Sequence, residues 1–427
     1  MRNPSVRVAL LATVFAAAFG AGGCTVISDL IGSEKRDVYK FDHPFTVSDP
    51  AFRRSLDTFG TAMIPGNTAE LFKNGDQFFP AMTQEIRRAQ RTVNLETYIF
   101  QPDEAGRQFA DAMVEAAQRG VEVRLLIDAW GSKLGDLQDR LEKAGVKWRK
   151  YRPVRLITIY KVGKRTHRKI LIVDGKVAFT GGMGISKKWL GNARNSMEWR
   201  DTQVRVTGPV VDQMQAIFAE DWTYTTGEIL AGEKFYPKPD GPAGPVQAQA
   251  IKASRGDASS LAKMFYYVAI QSAAKSIYIQ NAYFLPDKQV REGLVAAVAR
   301  GVDVKVMVPG RNIDLPMVRF ASWLHYGDML RGGVKIYEYK HTMMHNKTMV
   351  VDGVFSTIGS INFDTRSMNR NAEESLAFYD SAFAAKMEEM FSDDLKQCKE
   401  ITLHDFSHRG LGKRVTEVLS YIWEPYY

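Results

Sequence analysis

Cysteine is nearly absent. The chain of 427 residues has two, Cys24 and Cys398. At most one bridge can form, and no thiol stands near the histidine motifs described below. Long apolar runs are also missing. The stretch Val8–Phe19 is too short to cross a hydrocarbon core, which needs about 20 residues, and has the length of a signal-peptide core. Neither sign of charge dominates, with 57 Lys and Arg against 48 Asp and Glu, a net +9. Residues 1–23 hold Arg2 and Arg7 and no acid, so the remainder carries +7. That modest excess favours anionic partners, whether phospholipid headgroups, membrane surfaces or nucleic acid, without choosing among them. The length allows a large core and two or three domains, and a composition 45% hydrophobic and 25% charged is ordinary for a folded protein.

After the apolar run come Gly20-Ala-Gly-Gly23 and then Cys24. This resembles the lipobox of bacterial lipoproteins, whose Cys is lipidated and becomes the mature N-terminus, although Ala21 stands where Leu is usual. The expectation is a signal peptide over 1–23, a lipid anchor on Cys24 and an N-terminal extension over 24–65. A plain signal peptide, an uncleaved anchor and a Cys24–Cys398 bridge are the other readings. Thr25 replaces the Asp associated with inner-membrane retention, so the expected location is the periplasmic face of either the inner or the outer membrane.

The chain repeats itself. Thr92–Phe100 reads as a strand ended by Pro102-Asp103. Ala105, Phe109, Ala112, Met113 and Ala116 then mark one helical face, and Val121–Ile127 is the next strand. Ser276–Phe284, Pro286-Asp287, the helix face Val290, Leu294, Ala297 and Val298, and the strand Val302–Val308 copy that order. Strand, helix, strand with short connections predicts parallel pairing. Phe235–Pro245, rich in Pro and Gly, marks a linker. The expected architecture is α/β. Two pseudo-twofold-related halves, 66–230 and 251–400, each carry a mostly parallel sheet flanked by helices. A linker at 231–250 joins them, the active site lies at their interface, and 401–427 forms a tail.

Each half also carries one phrase, "HRKILIVDG" from His167 and "HNKTMVVDG" from His345. His and Lys two apart on a strand share a face. Asp174-Gly175 and Asp352-Gly353 are strong two-residue hairpin signals. Such turns pair Val173 with Lys176 and Val351 with Val354, which sets Gly182 opposite His167 and Ser360 opposite His345, with Asn362 a diagonal step away. Gly182, Ser360 and Asn362 are therefore candidates to leave room for, and bond to, a substrate phosphate.

These residue types suit phosphoryl transfer. Two lysines can hold phosphate oxygens, one imidazole can attack phosphorus, and the other, protonated, can serve the departing and incoming alcohols. One imidazole cannot do both jobs at once, which accounts for two copies. The spacing is not that of metal ligands, and the chemistry calls for no metal and no cofactor.

Together with "GSINFDTRS" at 359–367, "TGGMGIS" at 180–186, "WRDTQVRVTGP" at 199–209, "YFLPD" at 283–287, "IYEY" at 336–339 and "RSMNRNAEES" at 366–375, the two phrases closely resemble the doubled HKD motif of the phospholipase D superfamily. Bacterial cardiolipin synthases are the most similar members. The resemblance covers roughly residues 70–400. It implies that His167, Lys169 and Asp174 form one active site with His345, Lys347 and Asp352, with His167 as the nucleophile and a phosphohistidine intermediate. The implied reaction moves a phosphatidyl group from phosphatidylglycerol to a second lipid alcohol at a membrane surface. One departure is Gly184, where the family often has Asn after "GGM".

A phospholipase D hydrolase uses the same residues with water as acceptor. A metal-independent endonuclease would suit the aromatic and basic stretch Trp148–Arg152. A non-catalytic lipid-binding relic is a further reading, against which both intact triads argue. His341-Thr-Met-Met-His345 has i, i+4 spacing but lacks the Glu that a zinc-protease helix needs. The basic run Lys161–Lys169 suits a solvated loop or a headgroup-facing rim. Val415, Val418, Leu419 and Ile422 suit a helix packed on the domain or lying in an interface.

Overall fold

The structure, a computed structural model, describes residues 39–41, 45–153, 165–239, 241–253 and 259–410, with 412, 413, 416, 417 and 420 of the tail. The expected signal peptide, Cys24, Lys161–Lys164 and most of 411–423 lie outside the described residues. The chain divides into two units, Met1–Lys40 and Phe41–Tyr427, and everything below concerns the second.

Its first half contributes strands β1 (Ile64–Lys73), β2 (Thr92–Thr97), β3 (Glu122–Asp128), β4 (Lys147–Tyr151), β5 (Lys169–Val173), β6 (Val177–Gly181) and β7 (Thr202–Thr207). The second contributes β8 (Val246–Ala253), β9 (Ser276–Asn281), β10 (Asp303–Pro309), β11 (Lys335–Tyr339), β12 (Lys347–Val351), β13 (Phe355–Gly359), β14 (Glu373–Tyr379) and β15 (Cys398–Ile401). They form one sheet in the order β15-β11-β10-β9-β12-β13-β14-β8-β1-β7-β6-β5-β2-β3-β4. Read outward from the β8–β1 junction, the order is the same on both sides, apart from the extra edge strand β15.

The α/β class and the two related halves hold, but the sheet is mixed, not mostly parallel. Parallel pairs are confined to β2–β3, β3–β4, β9–β10 and β10–β11, where helical crossovers connect the strands. Hairpins and the returns after them make the strands between antiparallel. The first crossover helices, Glu104–Gln118 and Lys288–Ala299, start alike: Asp103 accepts from Gly106 N at 3.3 Å and Asp287 from Val290 N at 3.0 Å. Each cap satisfies an orphan amide at a helix start and stabilises its helix by about 1 kcal/mol.

β8 begins at Val246, inside the stretch expected to be linker, and pairs with both β14 and β1. Ahead of it Phe235 is buried, with the Arg124 guanidinium 4.9 Å over its ring. Part of the expected N-terminal extension is also built into the fold. Helix Pro50–Leu56 buries Phe52 and Leu56 in the second half's core, with the Phe52 ring 5.2 Å from that of Phe355. No helix among the described residues is long and apolar enough to cross a membrane.

The Asp-Gly turns use the backbone that their residues favour. Asp174 and Gly175 lie at φ 56° and 63°, and Asp352 and Gly353 at 55° and 66°. The ladders nevertheless close one residue later than expected, pairing Val173 with Val177 and Val351 with Phe355. Both aspartates are drawn towards the neighbouring strand. Asp174 accepts from the backbone N–H groups of Gln90, Arg91 and Thr92 at 2.8, 2.7 and 2.9 Å. Asp352 does the same for Ala274, Lys275 and Ser276 at 2.9, 2.7 and 2.9 Å. The five residues of β5, at about 3.3 Å each, put roughly 16 Å between Lys169 and Asp174. This corrects the expectation that Asp174 and Asp352 share a site with the His and Lys of their motifs. They fasten the far ends of β5 and β12 to the starts of β2 and β9. Asp174→Ala should therefore lower unfolding free energy by about 1–3 kcal/mol in denaturant melts, with turnover per folded molecule within twofold of wild type. A complete loss of turnover in a folded variant would restore the catalytic reading.

Candidate active site

β5 and β12 are buried along their whole length, so the residues leading into them are fixed by their neighbours. Lys169 pairs with Thr97 at the end of β2, and Lys347 with Asn281 at the end of β9. His167 and His345 stand two residues before these lysines and are held by the opposite half. The His167 backbone N–H donates to Ala372 O at 2.8 Å, and the His345 N–H to Arg200 O at 2.7 Å. The next residue in each case is an acid. His167 Nδ1 lies 2.8 Å from Glu373 Oε2, and His345 Nδ1 lies 3.1 Å from Asp201 Oδ2. Each imidazole is thus oriented by a carboxylate from the other half, with Nδ1–H donating and Nε2 left for chemistry.

Neither acid was singled out from the sequence, although both lie inside motif stretches quoted above. Asp201 is 144 residues before His345, and Glu373 is 206 after His167, so no spacing connects them. One signal was available: each acid leads into a wholly or largely buried strand, β7 or β14. A buried charge needs a partner.

The lysines complete the cluster. Lys169 Nζ donates to His167 O at 2.7 Å and Lys347 Nζ to His345 O at 2.6 Å. Tyr98 lies beside the first pair, its ring 5.1 Å from His167 and 5.9 Å from the Lys169 ammonium. Tyr283 lies beside the second, 6.1 Å from His345 and 5.8 Å from Lys347. Trp189 and Trp199 wall His345 further, at 5.2 and 5.4 Å.

Three predicted residues prove to be supports. The Ser360 hydroxyl donates to Glu373 Oε2 at 2.6 Å and accepts from Glu374 N at 3.0 Å. Ser360 therefore serves His167, not His345 as expected, because the hairpin register is one residue longer. Asn362 Nδ2 donates to Ser367 Oγ at 3.3 Å, and Ser367 in turn donates to Glu373 Oε1 at 2.8 Å. A Cβ at Gly182 would collide with the Asp201 carboxylate and the His345 carbonyl. The structure thus corrects the expectation that Gly182, Ser360 and Asn362 line a phosphate site: they pack and hydrogen-bond around the carboxylates.

Burial sets the proton affinities. It pushes both imidazoles down to about 4, with Glu373 and Asp201 pulling the other way. It also pushes Lys169 down to about 8 and Lys347 to about 7. The Lys347 charge lowers His167 and the Lys169 charge lowers His345, which is the electrostatic mark of one shared site. For Glu373 burial pulls upward, but His167, Lys169 and the Ser360 hydroxyl outweigh it and hold the carboxyl below its usual range. Near neutral pH the arrangement offers two neutral imidazoles, each paired through Nδ1 with a carboxyl group, and two lysines that readily gain or lose a proton. An anionic phosphodiester entering this space would draw protons onto the lysines and onto one imidazole.

Residues 82–222 and 266–395 match the family model described as "Cardiolipin synthase, PLD-like domain", one stretch in each half. A cardiolipin synthase of Clostridium perfringens is 34% identical over 398 residues, covering 91% of this chain and 83% of that protein. A probable cardiolipin synthase of Bacillus subtilis is 35% identical over 354 residues, 82% of this chain and 70% of that one. The chain belongs to the cardiolipin synthase, phospholipase D-like family. Among solved structures, phosphatidylserine synthase of Haemophilus influenzae shares the fold at a TM-score of 0.64 and 14% identity, over 87% of this chain and 97% of that one.

Proton NMR of the imidazole C–H groups should find His167 and His345 uncharged until the pH falls towards 4, whereas an exposed histidine titrates near 6.5. Glu373→Gln removes an anion that raises His167, so that group should titrate lower still. An upward move would contradict the assigned pairing.

Proposed function

We propose that the protein is a phosphatidyl transferase of the cardiolipin synthase type, taking phosphatidylglycerol as donor and a second lipid alcohol, phosphatidylglycerol itself, as acceptor. The observation that carries this reading is the crossed pairing of two imidazoles with two carboxylates, each imidazole keeping Nε2 free of that pairing and feeling the charge of both lysines. His167 Nε2 attacks phosphorus as the bond to the glycerol oxygen breaks, and His345, protonated, gives its proton to that oxygen. Glu373 balances the positive phosphoimidazole. The acceptor hydroxyl then loses its proton to His345 and attacks phosphorus, the P–N bond breaks, and both imidazoles return to their starting state. Lys169 and Lys347 hold the non-bridging oxygens throughout.

Exposed apolar side chains close in sequence to residues of the site support a membrane substrate. Trp130, Met197, Leu315 and Met317 are 61, 71, 46 and 39% exposed. Trp130 follows Asp128, whose carboxylate accepts from Thr166 N beside His167. Met197 precedes Trp199, a wall of His345. Leu315 and Met317 follow Asp314, which binds the Tyr283 hydroxyl at 2.8 Å. Large apolar side chains left in water near site residues of both halves suit insertion among lipids. We extend the proposal to location: export by residues 1–23 and a lipid on Cys24 would hold the enzyme at the membrane on its periplasmic face.

Purified protein given phosphatidylglycerol vesicles in EDTA should release glycerol and form cardiolipin. Phosphatidic acid plus glycerol would make it a hydrolase, and cleavage of DNA alone would make it a nuclease. His167→Ala and His345→Ala should each cut turnover by about 10³-fold or more. Near-normal rates in either variant would end the division of labour described.

The triple variant Trp130→Ser, Met197→Ser, Leu315→Ser should bind vesicles about tenfold more weakly in co-sedimentation, with turnover of a short-chain soluble substrate within twofold. Unchanged vesicle binding would remove the rim from the proposal.

A further inference from the structure

The two halves hold their catalytic carboxylates by different means. His167 and His345, Lys169 and Lys347, and Asp174 and Asp352 are each 178 residues apart. The same offset matches Gly182 with Ser360, Gly184 with Asn362 and Trp189 with Ser367. In the second half all three positions carry polar side chains, and they form a chain to Glu373: Ser360 directly, Asn362 through Ser367. In the first half two of the three are glycine.

The third is Trp189. Its indole is fully buried, and its Nε1–H donates to Asp201 Oδ2 at 2.8 Å. That is the oxygen that faces His345 Nδ1. Its ring also occupies the space that an Asn side chain at 184 would need: a Cβ there would stand 2.8 Å from Ile99 Cβ and 3.1 Å from two ring carbons of Trp189. Apart from His345, the indole is the side-chain hydrogen bond donor that reaches Asp201 among the described residues; the Thr202 backbone N–H takes the other oxygen at 2.8 Å.

We propose that Trp189 is a positioning residue of the first-half site, replacing by one indole N–H and one ring the three polar side chains that stand at the matching positions in the second half, where Asn371 Nδ2 also donates to Glu373 at 3.3 Å. The glycine at 184 is then a consequence of the tryptophan at 189, not a missing function. This inference rests on the phosphatidyl-transfer reading for its kinetic test, though not for its spectroscopic one. The physical effect is direct. An N–H on Oδ2 withdraws negative charge from the oxygen that orients His345, and it limits the movement of that oxygen away from the imidazole N–H. Without the donor, the charge on Oδ2 falls on His345 alone and favours its protonated form. The other charged or titratable groups that act on His345 are Lys347, Lys169 and Tyr283, and none of them changes.

The test is Trp189→Phe in the full chain, which keeps an aromatic ring and deletes the donor. Turnover should fall about tenfold, KM should stay within twofold, and the high-pH limb of kcat, set by loss of the His345 proton, should move up by about half a pH unit. A packing role alone would leave that limb in place. A folded variant with wild-type kcat and an unmoved limb would overturn the proposal. Should the variant not fold, indole N–H spectra of protein labelled with 15N-tryptophan decide instead. One of the seven indole signals should be exchange-protected, should shift as His345 titrates, and should move in Asp201→Asn. The absence of such a signal overturns the proposal. Failure of the wild-type protein to turn over phosphatidylglycerol would strike at the functional reading and leave this spectroscopic result standing.

Discussion

Everything in the site depends on a crossed pairing of buried charge. Glu373 and Asp201 are wholly shielded from water, and each would be costly to bury without the imidazole that the other half supplies. The arrangement is reciprocal at two levels. Backbone bonds join His167 to Ala372 and His345 to Arg200, and side-chain bonds then join the same histidines to the acids one residue on. A half taken alone would hold an imidazole with no orienting anion and an anion with no imidazole. The active site is therefore a property of the seam, and the phosphatidyl-transfer reading needs both halves for the same reason.

Further buried ions keep the seam rigid. Arg200, beside Asp201, pairs with Asp394 of the second half at 2.8 Å, and Gln280 donates to the same carboxylate at 2.8 Å. Arg168, between the first His and Lys, is fully buried and pairs with Asp221 at 2.9 Å. Arg168, and Asn346, which donates to Gln280 at 2.9 Å, each stand between the His and Lys of a motif, so one face of each motif presents His and Lys while the other anchors the strand. The price is a set of buried charges that stabilise little by themselves but specify one arrangement.

Much of this was legible in advance. Repetition exposed the two halves, and the period-2 rule put His and Lys on one face. The resemblance located the family, which the matched model and relatives show. What was misread has definable causes. The strands were expected to be mostly parallel because the βαβ signature was clear, while the hairpins at each Asp-Gly turn and the strands that follow them pair antiparallel. The hairpin register slipped by one because Asp174 and Asp352 bond to the adjacent strand, a tertiary partner that local turn chemistry cannot reveal. Ser360 consequently serves the opposite histidine. Glu373 and Asp201 were passed over because a carboxylate more than a hundred residues from its partner has no spacing to read. Gly184 looked like a loss only because its compensating residue, Trp189, is five positions away.

The junction of β1 with β8 has a consequence for traffic. Because a continuous sheet runs through both halves, they cannot part like the shells of a clam to load a lipid and close over it. On the proposed two-step route the freed glycerol departs before the second headgroup takes its place. On that route water competes with the acceptor in the interval, so the choice between synthesis and hydrolysis becomes a matter of which reaches the phosphorus first.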